Sequence, residues 1–315
     1  MPSWPTPRVA LWSASAALAV LLIAFGGRAY ATRVMSQRAL SPKSLASTTP
    51  ATVGLPFARV SIASGDRTLI GWWVRAGGDS GKAAPAVLFL HGNAATIADH
   101  VALQRLWFRQ GISSFVFDYT GFGASGGSAS LRNAVDDAGR VAKVFADSAG
   151  PTARRVAMGS GLGATVLLQA IDSVQASVDG IVVESVDASV KEAAVRRGRL
   201  PKVLAPLLAD IGDNVSAAAR VRVAMLAVHS REDHLVPFAD AERIVAAVPG
   251  EVSLVRHWRK GHSALLTSSR VCDWQPVLAF IKGGTLPTAK VDSTDACAVA
   301  KAAADSAKAA AAKKP

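Results

Sequence analysis

Cysteine is nearly absent from the chain: 315 residues contain two, Cys272 and Cys297. They allow at most one disulfide, so the fold must rest on a buried core, and a sequence that is 50% hydrophobic has ample material for one large domain. The same composition excludes a disordered protein. Aromatic residues are missing from the densest basic stretch, "KEAAVRRGRLPK" (Lys191–Lys202). The formal charge is +12, but the basic residues are scattered and form no recognisable binding module, so nucleic acid is not an expected partner.

Charge is missing altogether from "VALWSASAALAVLLIAFG" (Val9–Gly26), which lies between Arg8 and Arg28. As a helix rising ~1.5 Å per residue, this run just crosses a hydrocarbon core. It is long for the apolar region of a cleavable signal, although "AYA" (Ala29–Ala31) offers small residues for a signal peptidase. An uncleaved anchor is favoured over a removed signal. Topology pulls two ways. Arg28, Arg33, Arg38 and Lys43 follow the run, which by the positive-inside rule keeps the domain in the cytoplasm. A Cys272–Cys297 disulfide would suit an oxidising compartment, with two buried thiols as the alternative. The favoured reading is a membrane-anchored protein whose domain is extracytoplasmic, in the periplasm.

Residues 1–31 thus form the anchor or signal segment, and 32–54, rich in Ser, Thr and Pro, read as a linker. Residues 55–284 carry the domain. The tail, 285–315, is low-complexity and Ala/Lys-rich, expected to be a frayed helix or disordered and without catalytic part. Within the domain, "FARVSIASGDRTLIGWWVRA" predicts an antiparallel hairpin. Short apolar runs follow at Ala86–Leu90, Ser114–Phe117, Val156–Met158, Gly180–Val183 and Ala224–Val228, separated by longer helical segments such as Leu131–Ala146, Leu162–Ala170 and Ala239–Ala247. Continuous apolar strands alternating with helices predict an α/β fold: a mostly parallel sheet with an N-terminal antiparallel hairpin and helices on both faces. Residues 185–220 break the rhythm at the end of the sheet where ligands bind, and are expected to form a short cap.

The loops at that end hold the chemistry: "HGNAAT" (His91–Thr96), "DYTGFGASGGS" (Asp118–Ser128), "HSREDHLVP" with Asp233, and "GHSALL" with His262. Between them, "RVAMGSGLGATVLL" (Arg155–Leu168) has the form of a strand, a tight glycine turn and the start of a helix. A Gly-x-Ser-x-Gly nucleophile elbow has that form. Gly159 and Gly163 hold the two outer positions, but the centre is Gly161, and Ser160 stands one place early.

Taken in order, "LFLHGNAAT", "FDYTGFGASGG", "GSGLGAT", "REDHLVP" and "KGHSALL" resemble the α/β-hydrolase superfamily, and more narrowly its membrane-anchored, esterase- or thioesterase-like serine hydrolases. The similarity runs from about Leu55 to Ile281. It implies the α/β-hydrolase fold, with Asp233 as the triad acid, His262 as the general base, and the backbone N–H groups of Asn93 and Leu162 as the oxyanion hole. A carboxylate after one strand can orient a histidine from the next loop, and two N–H groups, one at a helix N-terminus, suit a developing oxyanion. No cofactor or metal is implied. A zinc site from His229, Asp233 and His234 lacks a standard spacing. His91 reads as a structural hydrogen-bonder, His234 as a surface neighbour, and His229 and His257 as packing or surface residues at strand ends.

The frame of the elbow decides the function. Centring it on Ser160 would put Met158 and Leu162 where the turn needs small residues, and would point the serine to another face. Gly161 is therefore read as the nucleophile position, relaxed by glycine. Thr120, Ser230 and Ala224 also stand where the resemblance leads one to expect arginine, glycine and proline. The favoured reading is a catalytically impaired hydrolase homologue that binds an acyl-type ligand or a protein partner. The alternative is an active hydrolase of an ester, thioester or amide, using Ser160 or a water placed above Gly161 and activated by His262.

Overall fold

The apolar runs become the centre of one eight-stranded sheet in a computed structural model, which describes residues 26–31, 37, 40–77, 84–283, 286 and 287. Strands β1 (Ala58–Ser64) and β2 (Arg67–Val74) form the expected hairpin. They are followed by β3 (Ala86–Leu90), β4 (Ser113–Phe117), β5 (Arg155–Ser160), β6 (Gly180–Glu184), β7 (Ala224–Ser230) and β8 (Val252–His257). The order across the sheet is β1-β2-β4-β3-β5-β6-β7-β8. β3 to β8 run parallel to one another, and β2 joins β4 antiparallel.

Alternation along the strands feeds two cores. Leu88, Leu90, Ile181 and Val183 point to one face, and Val87, Phe89 and Val182 to the other. Every residue of β3, β4 and β6 is buried, so each strand needs a cover on both sides. The helices, short turns apart, are α1 (Val101–Arg109), α2 (Leu131–Ala149), α3 (Leu162–Gln169), α4 (Val190–Arg196), α5 (Asn214–Ala218), α6 (Phe238–Ala247) and α7 (Gln275–Ile281). α2 and α3 cover the first face, with Val141, Phe145 and Leu167 in its core. α1 and α7 cover the second, where Trp107 meets Trp274 edge-on. Each such fully buried side chain contributes on the order of 2 kcal/mol relative to exposure.

The segment between β6 and β7 holds α4, a 3-10 turn (Lys202–Leu207) and α5, and stands over the C-terminal ends of the strands. Residues 40–54 are docked on the domain: Leu40 is buried in the first core, Leu45 and Val53 pack against the second, and Ser44 bridges Gly123. Apolar residues spaced singly among Ser, Thr and Pro have no period to betray them, yet each finds a groove.

The apolar run 9–26, Gly26 apart, and the tail beyond 287 lie outside the described residues. Among the described residues no helix is long and apolar enough to cross a membrane. Cys272 is disulfide-bonded, and Cys297, the only other cysteine in the chain, lies outside the described residues.

Candidate active site

The turn between β5 and α3 is built by close packing. A β-carbon on Gly159 would overlap the carbonyl of Gly163, and one on Gly163 would overlap the carbonyl of Leu90 at the end of β3. Both outer glycines are thus needed to let the helix start against the strand. The central residue has a different reason to be small or strained. Gly161 is the N-cap of α3 at φ 55°, ψ −114°, a backbone conformation that side chains rarely adopt. Chain neighbours aside, the described atoms within 4 Å of a β-carbon placed there belong to His262, with Nε2 in close contact at 3.3 Å.

Ser160 lies elsewhere. Its side chain is buried, and its Oγ is 3.0 Å from the hydroxyl of Ser263. It is the last residue of β5 and pairs in register with Glu184 of β6. At the end of this central strand its hydroxyl meets Ser263 and the carboxyl of Glu184.

Asp233 follows β7 and is held by three donors. Its Oδ1 accepts the N–H groups of Leu235 (2.9 Å) and Val236 (3.0 Å), and its Oδ2 accepts His262 Nδ1 at 3.0 Å. Burial alone would raise this carboxyl, but the hydrogen bonds from His262, Val236 and Leu235 outweigh it and hold Asp233 well below the usual carboxylate range. An ionised acceptor makes Nδ1 the protonated nitrogen of neutral His262, which leaves the Nε2 lone pair facing Gly161. Ser230, where the resemblance led one to expect glycine, ties the Asp233 and His262 loops together by donating to the carbonyl of Arg259 at 2.6 Å.

The turn that bears His262 rests on a cradle that sequence reasoning missed. Glu184 Oε1 accepts the N–H groups of Leu265 (2.9 Å) and Leu266 (3.4 Å), and Ser185 Oγ accepts the N–H of Ser263 at 3.1 Å. Ser185 and Ser263 both have positive φ, 49°. Burial pushes the Glu184 carboxyl up to about 7, against the opposing pull of the Ser160 hydroxyl and the two N–H groups. A signal was available: "GIVVE" ends an otherwise apolar strand, beside the elbow, on a carboxylate.

Asn93 and Leu162 line the same cleft as Gly161 and His262, a space of about 710 Å³. Leu162 is the first residue of α3, so its N–H is one of those that a helix leaves without an internal partner. Asn93 follows β3; its side-chain oxygen accepts the N–H of Ser41 (2.7 Å), from the docked segment, and of Ala94 (3.1 Å). The roof comes from the cap, with Val190 and Ala193 of α4.

The other histidines stand apart from the cleft. His91 is buried beside Asp118, with Nε2 3.5 Å from its carboxylate, and packs on Tyr119. His229 Nε2 lies 3.0 Å from the carbonyl of Val236, and burial lowers its basicity, as it does for His257. His234 is exposed. Among the described residues no group of three or more His, Cys, Asp or Glu could hold a metal ion. Thr120, also a departure from the resemblance, is buried, with its N–H on Asp137 at 2.8 Å.

Three-dimensional comparison decides the architecture. The Pyrococcus furiosus esterase Pf2001 superposes with a TM-score of 0.61 at 20% identity, covering 77% of this chain and 97% of the esterase. Mouse α/β-hydrolase domain-containing protein 10 does so at 0.53 and 15%, covering 71% and 96%. The protein has the α/β-hydrolase fold. Residues 81–214 match a family model described as serine aminopeptidase, S33. That segment includes the elbow and Asn93 and ends before Asp233 and His262. Similar sequences include the uncharacterised protein YfhR of Salmonella typhimurium, 26% identical over 190 residues, and an uncharacterised protein of Mycobacterium tuberculosis, 31% identical over 170. The match spans 64% and 59% of the length of these two relatives, and 56% and 53% of this chain.

Proposed function

We propose that the protein is a hydrolase homologue that has given up serine-based acyl transfer and uses its cleft to bind an acyl-type ligand. One observation carries this reading. The position that faces the Nε2 of His262 is a glycine, so the elbow presents no hydroxyl to the base. Asp233, His262, Asn93 and Leu162 take the acid, base and oxyanion roles, which they would keep in any ligand chemistry at this site. The rival nucleophile, Ser160, is disfavoured because its hydroxyl is buried against Ser263. We also propose that residues 9–26 anchor the protein in a membrane with the domain extracytoplasmic, on the strength of their uncharged apolar sequence.

The reading is tested by treating the protein with a fluorophosphonate probe and measuring its intact mass. No adduct is the expected result. An adduct that maps to Ser160 would overturn the reading in favour of a working serine hydrolase.

A further inference from the structure

A histidine base that has lost its partner nucleophile is not thereby idle. In a serine hydrolase, Nε2 is occupied by the hydroxyl proton it removes. Here the lone pair of His262 Nε2 faces open cleft, 3.3 Å from the place of a missing β-carbon. The opposite nitrogen is tied to Asp233 at 3.0 Å, which fixes the ring's orientation and supports the imidazolium that forms when Nε2 takes a proton. Asn93 and Leu162 line the same space. A positioned base beside N–H donors, with no nucleophile between them, has the parts for removing a proton from carbon next to a carbonyl group.

We propose that the cleft catalyses proton transfer on a carbon acid: a ketone, ester or thioester carrying a hydrogen on the carbon next to its carbonyl. This rests on the reading of Gly161 as the vacated nucleophile position. The step balances without any co-reactant. The C–H bond breaks, its proton goes to His262 Nε2, and its electron pair moves through the new C=C bond onto the carbonyl oxygen as an enolate. The backbone N–H groups of Asn93 and Leu162 stabilise that oxygen. Return of the proton to the same carbon gives exchange, and return to a neighbouring position gives isomerisation. Glycine has a direct part in this. A side chain at 161 would fill the space between Nε2 and the substrate carbon, so the same residue that abolishes acyl transfer opens the base to carbon.

The test uses 5-nitrobenzisoxazole and the full-length chain. This probe reports a positioned base: removal of its C–H proton by Nε2 forms the nitrile as the N–O bond breaks, and the electrons leave on a coloured phenolate. The wild-type protein is expected to exceed free imidazole at equal concentration by on the order of 10²-fold. His262→Gln, checked for folding by circular dichroism, should lose that advantage. Gly161→Ser should lose most of it while gaining hydrolysis of p-nitrophenyl acetate, because the new hydroxyl occupies Nε2. Equal elimination by wild type and folded His262→Gln would overturn the proposal. Ester hydrolysis gained by Gly161→Ser, with no elimination by wild type, would overturn proton transfer and leave the reading of the vacated elbow standing. Absence of both activities would overturn both.

Discussion

His262 Nε2 stands 3.3 Å from the position that a β-carbon on Gly161 would take, and among the described residues no other outside the chain neighbours comes within 4 Å of it. On the proposed reading this is a serine–histidine pair without the serine side chain, set on a strained turn and beside an oriented imidazole, and one substitution is expected to complete it.

The outer glycines are expected to be far less tolerant than the central one. A β-carbon on Gly163 would overlap the backbone carbonyl of Leu90, which cannot rotate away as a side chain would. Gly163→Ala should cost about 3 kcal/mol or more, read from urea denaturation of the folded chain. A loss below about 1 kcal/mol would mean that α3 does not start as close to β3 as described.

Glu184 gives the protein a pH dependence of definite sign. Its carboxyl is raised from 4.5 to about 7 by burial. Between those values the unfolded chain has lost the proton and the folded chain still holds it, so stability falls as pH rises through the window and levels off above it. Glu184→Gln keeps an acceptor for the N–H groups of Leu265 and Leu266 without the charge. It should match wild type near pH 4.5 and exceed it at pH 8, by at most about 3 kcal/mol. Denaturation curves for both proteins at four pH values check this. A difference that does not change with pH would contradict it.

Much of this site is legible in the sequence, and the reasons differ by residue. Strands such as β3 and β6 are short, continuous and apolar, so periodicity and length find them. β8 is harder, because at the sheet edge its pattern alternates between buried and half-exposed positions and lacks a continuous apolar run. The elbow is recognisable because Gly159 and Gly163 answer to backbone contacts that no other residue permits. Glu184 and Ser185 escape notice because their role, holding the His262 turn across a gap of about eighty residues, has no local spacing to reveal it. The docked segment 40–54 escapes for the same reason: the contact of Ser41 with Asn93 is long-range, and its composition mimics a linker.

Membrane association is a separate expectation, resting on the run Val9–Gly26. The full-length protein should stay with membranes through high-salt and carbonate washes, as an uncharged apolar helix would. Release by either wash would contradict the anchor. Recovery of a soluble form beginning at Thr32 would mean that the run is a cleaved signal instead.

The central claim is that residue 161, and not residue 160, is the nucleophile position. It is tested most directly by Gly161→Ser, assayed for fluorophosphonate labelling and for hydrolysis of p-nitrophenyl acetate. The substitution should cost on the order of 1 kcal/mol, since φ 55° suits glycine better than serine. The expected result is one adduct mapped to position 161 and ester hydrolysis at least tenfold above wild type, both lost when His262→Ala is added. A folded Gly161→Ser protein that stays unlabelled and inert, or an adduct on Ser160, would contradict it.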